Sequence, residues 1–424
     1  MTPQRRVFLV GGAITPFIGK HHPDFIWKKH PDFGKRENPT LEAYLHQAAA
    51  AAMDDAGVSA DQIEKGYVGN FAGELFSSQG HLGAMMARGD DGFAYTPFTR
   101  VEGACASGGL AVIGAVEAIQ AGRDVVMAVG AEAQTTVSAR DGAGFLARAS
   151  HWETERALDE FTFPAMFARR AKAYQEATGT TEEDIAHVVV KAYANANKNP
   201  LAHMKNVKVD LEHAKAAHDR NPNFLRNEEF GSFLKITDCS QVSDGGAAIV
   251  LASEEGLAKL GKSPADCVEL ISYAQTTSAL GKVSDFTRLD NTQRAAAEAY
   301  ADTGLSPGDI DVCEVHDCFA VTELLMMEAL GFADYGKAKD VARDGGTGLD
   351  GSIPINTGGG LLAFGHPVGA TGIKQIFDVA RQMKGACGDY QLAERPKVGL
   401  AANMGGDDRT TVVTILRSPD AGGA

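Results

Sequence analysis

Residues 48–63 read AAAAAMDDAGVSADQI, and residues 295–310 read AAAEAYADTGLSPGDI, so the two stretches match without a gap. Each is an alanine-rich helix that stops at a glycine, Gly57 or Gly304, and continues through a serine-led turn into a strand. Coincidence could explain two similar alanine-rich helices, but not the shared glycine, serine and isoleucine positions. The repeat therefore predicts a chain made of two similar halves.

The predicted elements around the repeat follow the same order in both halves. The first half has strand 7–11, helix 41–56, strand 66–70, helix 79–88, strand 98–101, helix 106–121 and strand 124–130. The second half has strand 268–274, helix 291–303, strand 311–315, helix 321–331, strand 353–356, helix 370–384 and strand 397–402. Final strands follow at 247–251 and 411–416. This alternation predicts an α/β fold with mainly parallel sheets, its halves packed around a pseudo-twofold axis.

The halves differ in one place, where the first carries an insert of roughly a hundred residues, a length typical of a functional subdomain. We predict a first domain at 1–131 and 239–262, an inserted domain at 132–238, and a second domain at 263–424. The insert contains predicted helices at 166–177 and 182–196. Most of its basic residues would form a solvated face, but a few could supply a basic patch for an anionic substrate: Arg169, Arg170, Lys172, Lys191, Lys205 and Lys208.

The composition is that of a globular protein, with 44% hydrophobic and 22% charged residues and a net charge of −15. This charge argues against nucleic acid and anionic membranes as partners. The N-terminus leads directly into a strand, and the C-terminus carries no targeting tripeptide, so we expect neither a signal peptide nor an organelle address. Six cysteines without a C-x-x-C pair favour a reducing compartment, and we predict a cytoplasmic protein.

Cys105 lies among small residues in VEGACASGG (101–109), where a predicted strand passes into a helix. A thiol at this place meets the positive end of the helix dipole and free backbone N–H groups, which favour the thiolate. The small neighbours would also let a bulky substrate approach. Cysteine is, however, often a buried and inert hydrophobe, and the local sequence leaves both interpretations open.

Further candidate residues follow the strands of the second half, at the sheet edge where α/β proteins bind ligands. His366, in the loop GHPVGATG (365–372), could serve as the base that a cysteine nucleophile needs. His316 and Cys318 are two residues apart after strand 311–315, so their side chains should point the same way. The local sequence equally allows Cys318 to be a buried core residue and His316 a hydrogen-bonded turn residue. A zinc site could be formed by these three residues together with Cys105. The spacing of the four matches no standard zinc ligand set, however, and we predict no metal.

Gly405 and Gly406 also follow a predicted strand and can present bare N–H groups. With the N–H of Cys105, such a turn could stabilise a developing oxyanion. The remaining cysteines are interpreted as structural.

These residues are part of a wider similarity: the chain resembles the thiolase family over nearly its whole length. The matching stretches are GACASG (103–108), CSQVSDGG (239–246), NPLA (199–202) and the GHP loop (365–367). The resemblance implies duplicated βαβαβαββ halves in a five-layered αβαβα fold, and an inserted loop domain that grips coenzyme A. It also implies a homodimer or homotetramer, with CoA and acyl-CoA as substrates and no tightly bound cofactor.

The chain departs from common thiolases at two of their motifs. It has HDCF (316–319) where they carry NEAF, and Asn403-Met-Gly405 where they carry C-x-G. The double exchange is similar to the branch of sterol carrier protein 2 type thiolases. It implies that Cys318 is the acid/base of the condensation step, and that His316 replaces the missing asparagine in the oxyanion hole.

The implied reaction is ping-pong thiolysis of a 3-ketoacyl-CoA, or the reverse Claisen condensation. Cys105, activated by His366, would form an acyl-enzyme, and Cys318 would protonate the departing enolate. The first oxyanion hole would be His316 with His366, and the second the N–H groups of Cys105 and Gly405. Two alternatives stay open: a related acyltransferase that uses a non-CoA acceptor beside a small OB-fold partner of the DUF35 type, and a non-catalytic acyl-CoA-binding scaffold.

Overall fold

The computed structural model describes residues 5–421 of the 424-residue chain. The outermost residues at both ends, on which the predictions about targeting signals rest in part, lie outside the described residues. Within the described part, no helix is both long and apolar enough to cross a bilayer.

Nine strands form one sheet in the order β3-β2-β4-β5-β1-β6-β9-β8-β7. They are β1 (Val7–Ile14), β2 (Lys65–Gly69), β3 (Phe98–Val101), β4 (Val125–Glu132), β5 (Gly245–Ala252), β6 (Val268–Thr277), β7 (Val312–Glu314), β8 (Val398–Gly405) and β9 (Thr410–Arg417). Apart from the edge strand β3, which has no counterpart, the order is symmetric about the contact between β1 and β6, as two duplicated halves require. The predicted duplication is thus visible in the topology.

Two expectations about the sheet are wrong. The sheet is mixed rather than mainly parallel, because the last strand of each half, β5 or β9, returns antiparallel to its neighbours. The predicted strand 353–356 is absent from the described structure, where Ile355 makes one isolated bridge to Cys313. Asn356 follows with a φ of 55°, a left-handed conformation that turns the chain away before a ladder can form.

The helices of the two halves lie on both sides of this sheet. They are α1 (Leu41–Ala56), α2 (Gly73–Phe76), α3 (Leu82–Gly89), α4 (Ser107–Gln120), α10 (Glu254–Lys259), α11 (Asp290–Thr303), α12 (Ala320–Ala329), α13 (Ala338–Arg343) and α14 (Thr371–Lys384). Helices α1 and α3 cover one half from outside, and α11 covers the other. Helices α4 and α14 pack on each other between the halves, which gives the layer order of the predicted fold.

The repeated stretches adopt the same local structure in both halves. Gly57 and Gly304 end α1 and α11 in the left-handed conformation that glycine adopts without steric penalty. Each glycine is followed by a short 3₁₀ turn with a capping box, led by Ser59 in the first half and Ser306 in the second. The shared residues are therefore those that stop the helix and start the next turn.

The insert between β4 and β5 contains α5 (Ala139–Leu146), α6 (Trp152–Glu155), α7 (Thr162–Thr178), α8 (Glu182–Ala196) and α9 (Leu211–Ala214). Two of its basic residues are not available for an anionic substrate. Arg170 is buried in an ion pair with Asp407, and Lys191 pairs with the buried Glu323. An unpaired charge is costly in the interior, so these side chains hold the insert against the second half.

Candidate active site

A cavity of about 280 Å³ opens between the two halves and the insert. Its lining brings together all four predicted side chains, Cys105, His316, Cys318 and His366. The sulfur of Cys105 and one ring nitrogen of each histidine lie within 4.8 Å of one another. The rest of the lining is largely apolar, with phenylalanines from several elements.

Cys105 sits in the turn between β3 and α4, as the sequence predicts. The preceding residue, Ala104, has a φ of 53°, so the backbone is strained just before the thiol. Ser107, the first residue of α4, stabilises this turn. Its hydroxyl donates to the Ala104 carbonyl at 2.6 Å and accepts from the Gly103 N–H at 3.1 Å. The turn therefore presents the sulfur to the cavity at the start of the helix.

The thiol, not the thiolate, is the resting form of Cys105. Burial raises its pKa to about 12, although a hydrogen bond from the backbone N–H of Gly406 and the N–H of Cys105 itself act in the opposite direction. The buried carboxylate of Glu132 also opposes a negative sulfur. The backbone N–H groups favour the thiolate, as expected, but desolvation outweighs them.

His366 is a neutral imidazole whose hydrogen lies on Nδ1. Burial lowers its pKa to about 3. The hydroxyl of Thr371 donates to the Pro367 carbonyl at 3.0 Å, so its oxygen accepts from Nδ1 of His366 at 2.7 Å. The other nitrogen, Nε2, is left with a free lone pair. The loop is held by Gln134, whose amide donates to the His366 carbonyl at 2.8 Å. Such a ring can accept a proton from a thiol.

His316 lies against His366 with ring centroids 5.0 Å apart and ring planes at 86°. Burial holds its pKa well below the usual histidine value, so this ring is also neutral. Its Nδ1 lies 3.2 Å from the amide nitrogen of Asn403. The two histidines thus have different partners on their Nδ1 atoms, a hydroxyl for one and an amide for the other.

Cys318 is buried at the cavity wall, and burial raises its pKa well above the usual thiol value, with the neighbouring Cys105 as a further cause. His316 and Cys318 both face the cavity, as predicted, although the chain turns here instead of continuing the strand. Asp317 between them points away and accepts the backbone N–H of Leu361 at 2.6 Å. A thiol that stays protonated suits the role of a proton donor.

Helices α4 and α14 bring the two halves of the site together. Their N-terminal turns touch through glycines, since a Cβ on Gly108 would lie 2.8 Å from the Gly369 carbonyl oxygen. A Cβ on Gly372 would lie 2.3 Å from the backbone nitrogen of Gly109. The predicted approach of the Cys105 and His366 helices is confirmed, and the absence of side chains at this contact allows it.

Sequence models of two thiolase domains match most of the chain: "Thiolase, N-terminal domain" at residues 31–255 and "Thiolase C-terminal domain-like" at 272–418. The chain belongs to the thiolase family. Membership makes it an enzyme of the acyltransferase class and accounts for the duplicated α/β fold.

The thiolase is similar in sequence to curated proteins of several organisms. It is 37% identical to an acetyl-CoA acetyltransferase of Methanothermobacter thermautotrophicus over 87% of this chain and 92% of that protein. It is 30% identical to Homo sapiens sterol carrier protein 2 over 95% of this chain and 70% of that protein. It is 29% identical to the benzoylsuccinyl-CoA thiolase subunit BbsB of Thauera aromatica over 96% of this chain and 97% of that protein.

Two solved structures share the fold at lower identity. The Ltp2-ChsH2(DUF35) aldolase superimposes with a TM-score of 0.78 at 23% identity, covering 99% of both chains. Acat5 thiolase from Ascaris suum in complex with coenzyme A superimposes with a TM-score of 0.69 at 18% identity, covering 98% of this chain and 100% of that chain.

The turn after β8 lies beside the nucleophile of this thiolase. The backbone N–H of Gly406 acts to lower the pKa of the Cys105 thiol. Gly405 ends β8 opposite Thr410, and a Cβ there would lie 2.1 Å from the Gly103 carbonyl oxygen. Gly405 therefore allows β8 to pack against the nucleophile turn, and the left-handed Gly406 lines the cavity.

Three further residues of the site were missed in the sequence. Thr371 and Asn403 bond the two histidines, and Glu132 accepts backbone N–H groups from Phe71, Ala72 and Gly369. The Asn403 position stood out as a departure from common thiolases, but nothing local indicated its partner. Thr371 lies five residues after His366, a spacing that suggests contact only once the helix start is known.

Proposed function

We propose that this thiolase cleaves 3-ketoacyl-CoA with free CoA, or catalyses the reverse Claisen condensation, through an acyl-enzyme on Cys105. The observation that carries the proposal is the cluster of Cys105, His366 and His316, in which a thiol, a free imidazole lone pair and a second neutral ring share one cavity. A thiol beside an unprotonated base is the arrangement that covalent acyl transfer requires.

In the first half-reaction Nε2 of His366 takes the proton of Cys105 while the sulfur attacks the 3-keto carbon. Because both groups rest in the neutral form, no free buried thiolate forms before the attack. The new oxyanion accepts hydrogen bonds from His316 and from the now protonated His366. Its collapse restores the carbonyl and breaks the C2–C3 bond.

Cys318 then gives its proton to C2 of the departing acetyl-CoA enolate. His366, still protonated from the first step, returns its proton to the Cys318 thiolate. The thiol of free CoA then gives its proton to Nε2 of His366 as its sulfur attacks the acyl-enzyme, and His366 passes that proton to the departing Cys105 sulfur. For this second half-reaction we propose the N–H groups of Cys105 and Gly406 as the oxyanion hole, in place of the predicted Gly405. In the condensation direction Cys318 removes the C2 proton instead.

We propose that the insert at 132–238 holds CoA, and that the acyl group lies in the apolar part of the cavity. Phe167 and Phe319 stack there with ring centroids 4.6 Å apart, and Phe161 packs on Phe224 at 5.3 Å. The volume of about 280 Å³ is well above the roughly 150 Å³ that admits benzene to an apolar cavity. This size supports acyl groups larger than acetyl. A 3-ketoacyl-CoA series of increasing length, assayed for thiolysis, tests it.

The acyl-enzyme is tested by incubating the protein with acyl-CoA and locating the added mass by peptide mass spectrometry. We expect the acyl mass on Cys105, none in Cys105→Ala, and acylation slowed by roughly 10²- to 10⁴-fold in His366→Ala. Cys267→Ala removes a buried cysteine remote from the cavity and should acylate like the wild type. An unmodified Cys105 during turnover contradicts the proposal. Binding of acyl-CoA without acylation favours the scaffold alternative.

A partner protein is the second candidate arrangement. The structural neighbour Ltp2-ChsH2(DUF35) aldolase has DUF35 in its name, and an acyltransferase with a non-CoA acceptor and an OB-fold partner would share this fold. The presence of Cys318 favours thiolysis, since it supplies a proton donor for the C–C step.

We further propose a homodimer or homotetramer in the cytoplasm, consistent with the free cysteines of the described chain. Light scattering on the purified protein tests the oligomer.

A further inference from the structure

Asn403 occupies the centre of the site without touching the cavity. It lies buried near the end of β8, and its amide reaches three groups on different elements. The oxygen accepts the backbone N–H of Gly109 at 3.2 Å. The amide nitrogen donates to the Cys105 carbonyl at 3.0 Å and lies 3.2 Å from Nδ1 of His316.

Two of these contacts allow only one orientation of the amide. A backbone N–H can only donate and a backbone carbonyl can only accept, so the oxygen must face Gly109 and the nitrogen must face Cys105. The same NH₂ group therefore points at His316. An NH₂ group has no acceptor to offer, so Nδ1 of His316 must accept and carries no hydrogen.

We propose that Asn403 is a positioning residue that sets the tautomer of His316 and thereby makes it a hydrogen-bond donor in the oxyanion hole. The inference rests on the proposed function. With Nδ1 unprotonated, the single hydrogen of the neutral ring lies on Nε2. His366 has the opposite tautomer, because Thr371 accepts from its Nδ1. One ring is thus prepared to donate to an oxyanion, and its neighbour is prepared to accept a proton.

Three residues related to asparagine in chemistry or size would not reproduce this arrangement at position 403. An aspartate would accept from Nδ1–H, move the hydrogen away from Nε2 and place an oxygen against the Cys105 carbonyl. A cysteine is too short to join Gly109, Cys105 and His316. A longer amide has no room, since even a Cβ on Gly372 would lie 2.2 Å from the Asn403 oxygen.

The experiment reads the tautomer directly, by ¹⁵N NMR of protein labelled at its 12 histidines, with the His316 signals assigned from their absence in His316→Gln. The wild type should show an unprotonated Nδ1 and a protonated Nε2 at His316. In Asn403→Asp the hydrogen should move to Nδ1, and in Asn403→Ala the ring should populate both tautomers. The second variant keeps the test usable if the carboxylate prevents folding.

Asn38→Asp is the matched control. The Asn38 amide also accepts a backbone N–H and donates to a carbonyl, both of Ile26, but it contacts no site residue. It should lose stability and leave the His316 signals unchanged. A wild-type His316 with hydrogen on Nδ1, or an unchanged tautomer in Asn403→Asp, overturns the proposal.

The kinetic arm measures acylation of Cys105 by a 3-ketoacyl-CoA, the attack in which the new oxyanion accepts a hydrogen bond from His316. Loss of one oxyanion donor should slow acylation by roughly 10²- to 10³-fold in Asn403→Asp with little change in KM, since no substrate contact is removed. An unchanged acylation rate overturns the role in the oxyanion hole. The tautomer is measured without substrate, so the NMR result does not depend on activity. A failure of the wild type to acylate would contradict the proposed function but not the tautomer assignment.

Discussion

At the scale of single residues, two chemically identical side chains have opposite properties in this site. His316 and His366 are both buried and neutral, and their rings are in edge contact. Their difference comes from one partner each, the Asn403 amide and the Thr371 hydroxyl. Because each partner determines which nitrogen carries the hydrogen, the pair offers a donor and an acceptor to the same substrate.

The role of Cys318 is tested by separating the two steps of the reaction. Cys318→Ala should still form the acyl-enzyme on Cys105, because Cys318 takes no part in that attack during transfer from a simple acyl-CoA. Thiolysis and condensation should fall by roughly 10²- to 10⁴-fold, since the proton donor at C2 is lost. Mass spectrometry follows the first step, and CoA release or consumption follows the second.

Cys313→Ala is the control for that experiment. Cys313 is fully buried on β7, five residues before Cys318, and is absent from the cavity lining. Its replacement should retain both steps. If Cys318→Ala also retains both, another group transfers the proton and the assignment is wrong.

At the scale of elements, the contact between α4 and α14 explains how the nucleophile and its base meet. Each helix begins shortly after its site residue, α4 at Ser107 and α14 at Thr371, and the glycines at the contact let the two backbones approach without side chains between them. The lost strand at 353–356 is explained at the same scale. Pro354 and the left-handed Asn356 flank the bridge at Ile355, so the pairing stops after one residue.

Gly372→Ala tests this contact. The added methyl group would lie 2.2 Å from the Asn403 oxygen and 2.3 Å from the Gly109 nitrogen, so the helices or the amide must move. We expect a loss of about 1–3 kcal/mol in the free energy of unfolding, together with slower acylation. Chemical denaturation and the acylation assay measure the two effects.

Gly144→Ala provides the comparison for stability. Gly144 lies inside α5, and a Cβ there would meet no atom within 4 Å. Alanine is the better helix former by about 1 kcal/mol, so this variant should be as stable as the wild type or more stable. Equal destabilisation of both variants would show that the close contact at Gly372 is not the cause.

At the scale of the whole molecule, the buried histidines connect stability to pH. Burial lowers the pKa of His203 from 6.5 to about 4. As the pH falls below about 6.5, the unfolded chain binds this proton and the folded protein does not. The free energy of unfolding therefore decreases as the pH falls toward 4, by about 3 kcal/mol for this group.

His203→Gln removes this effect. Between about pH 7 and pH 4 the wild type should lose about 3 kcal/mol more stability than the variant, as measured by denaturant titration at several pH values. His187→Gln, on the partly exposed face of α8, is the control and should follow the wild type. If both variants retain the pH slope of the wild type, burial of His203 does not produce it.

The duplicated halves, the order of most strands and helices, and the four residues of the reactive cluster could be predicted from the sequence. These features depend on local chemistry: glycine stops a helix, a serine-led turn follows it, and ligand-binding residues follow strands at one sheet edge. Cys105, His316, Cys318 and His366 were found in this way, since each follows a strand or lies in the loop before a helix.

Only the folded molecule shows how these residues work together. The Asn403 amide and the Cys105 carbonyl that it bonds are 298 positions apart, and Asn403 and His316 are 87 apart. The protonation of Cys105 and the tautomers of both histidines depend on such contacts. A pKa or a tautomer reflects the dielectric and the hydrogen-bond partners around a group, and these exist only after distant segments have packed.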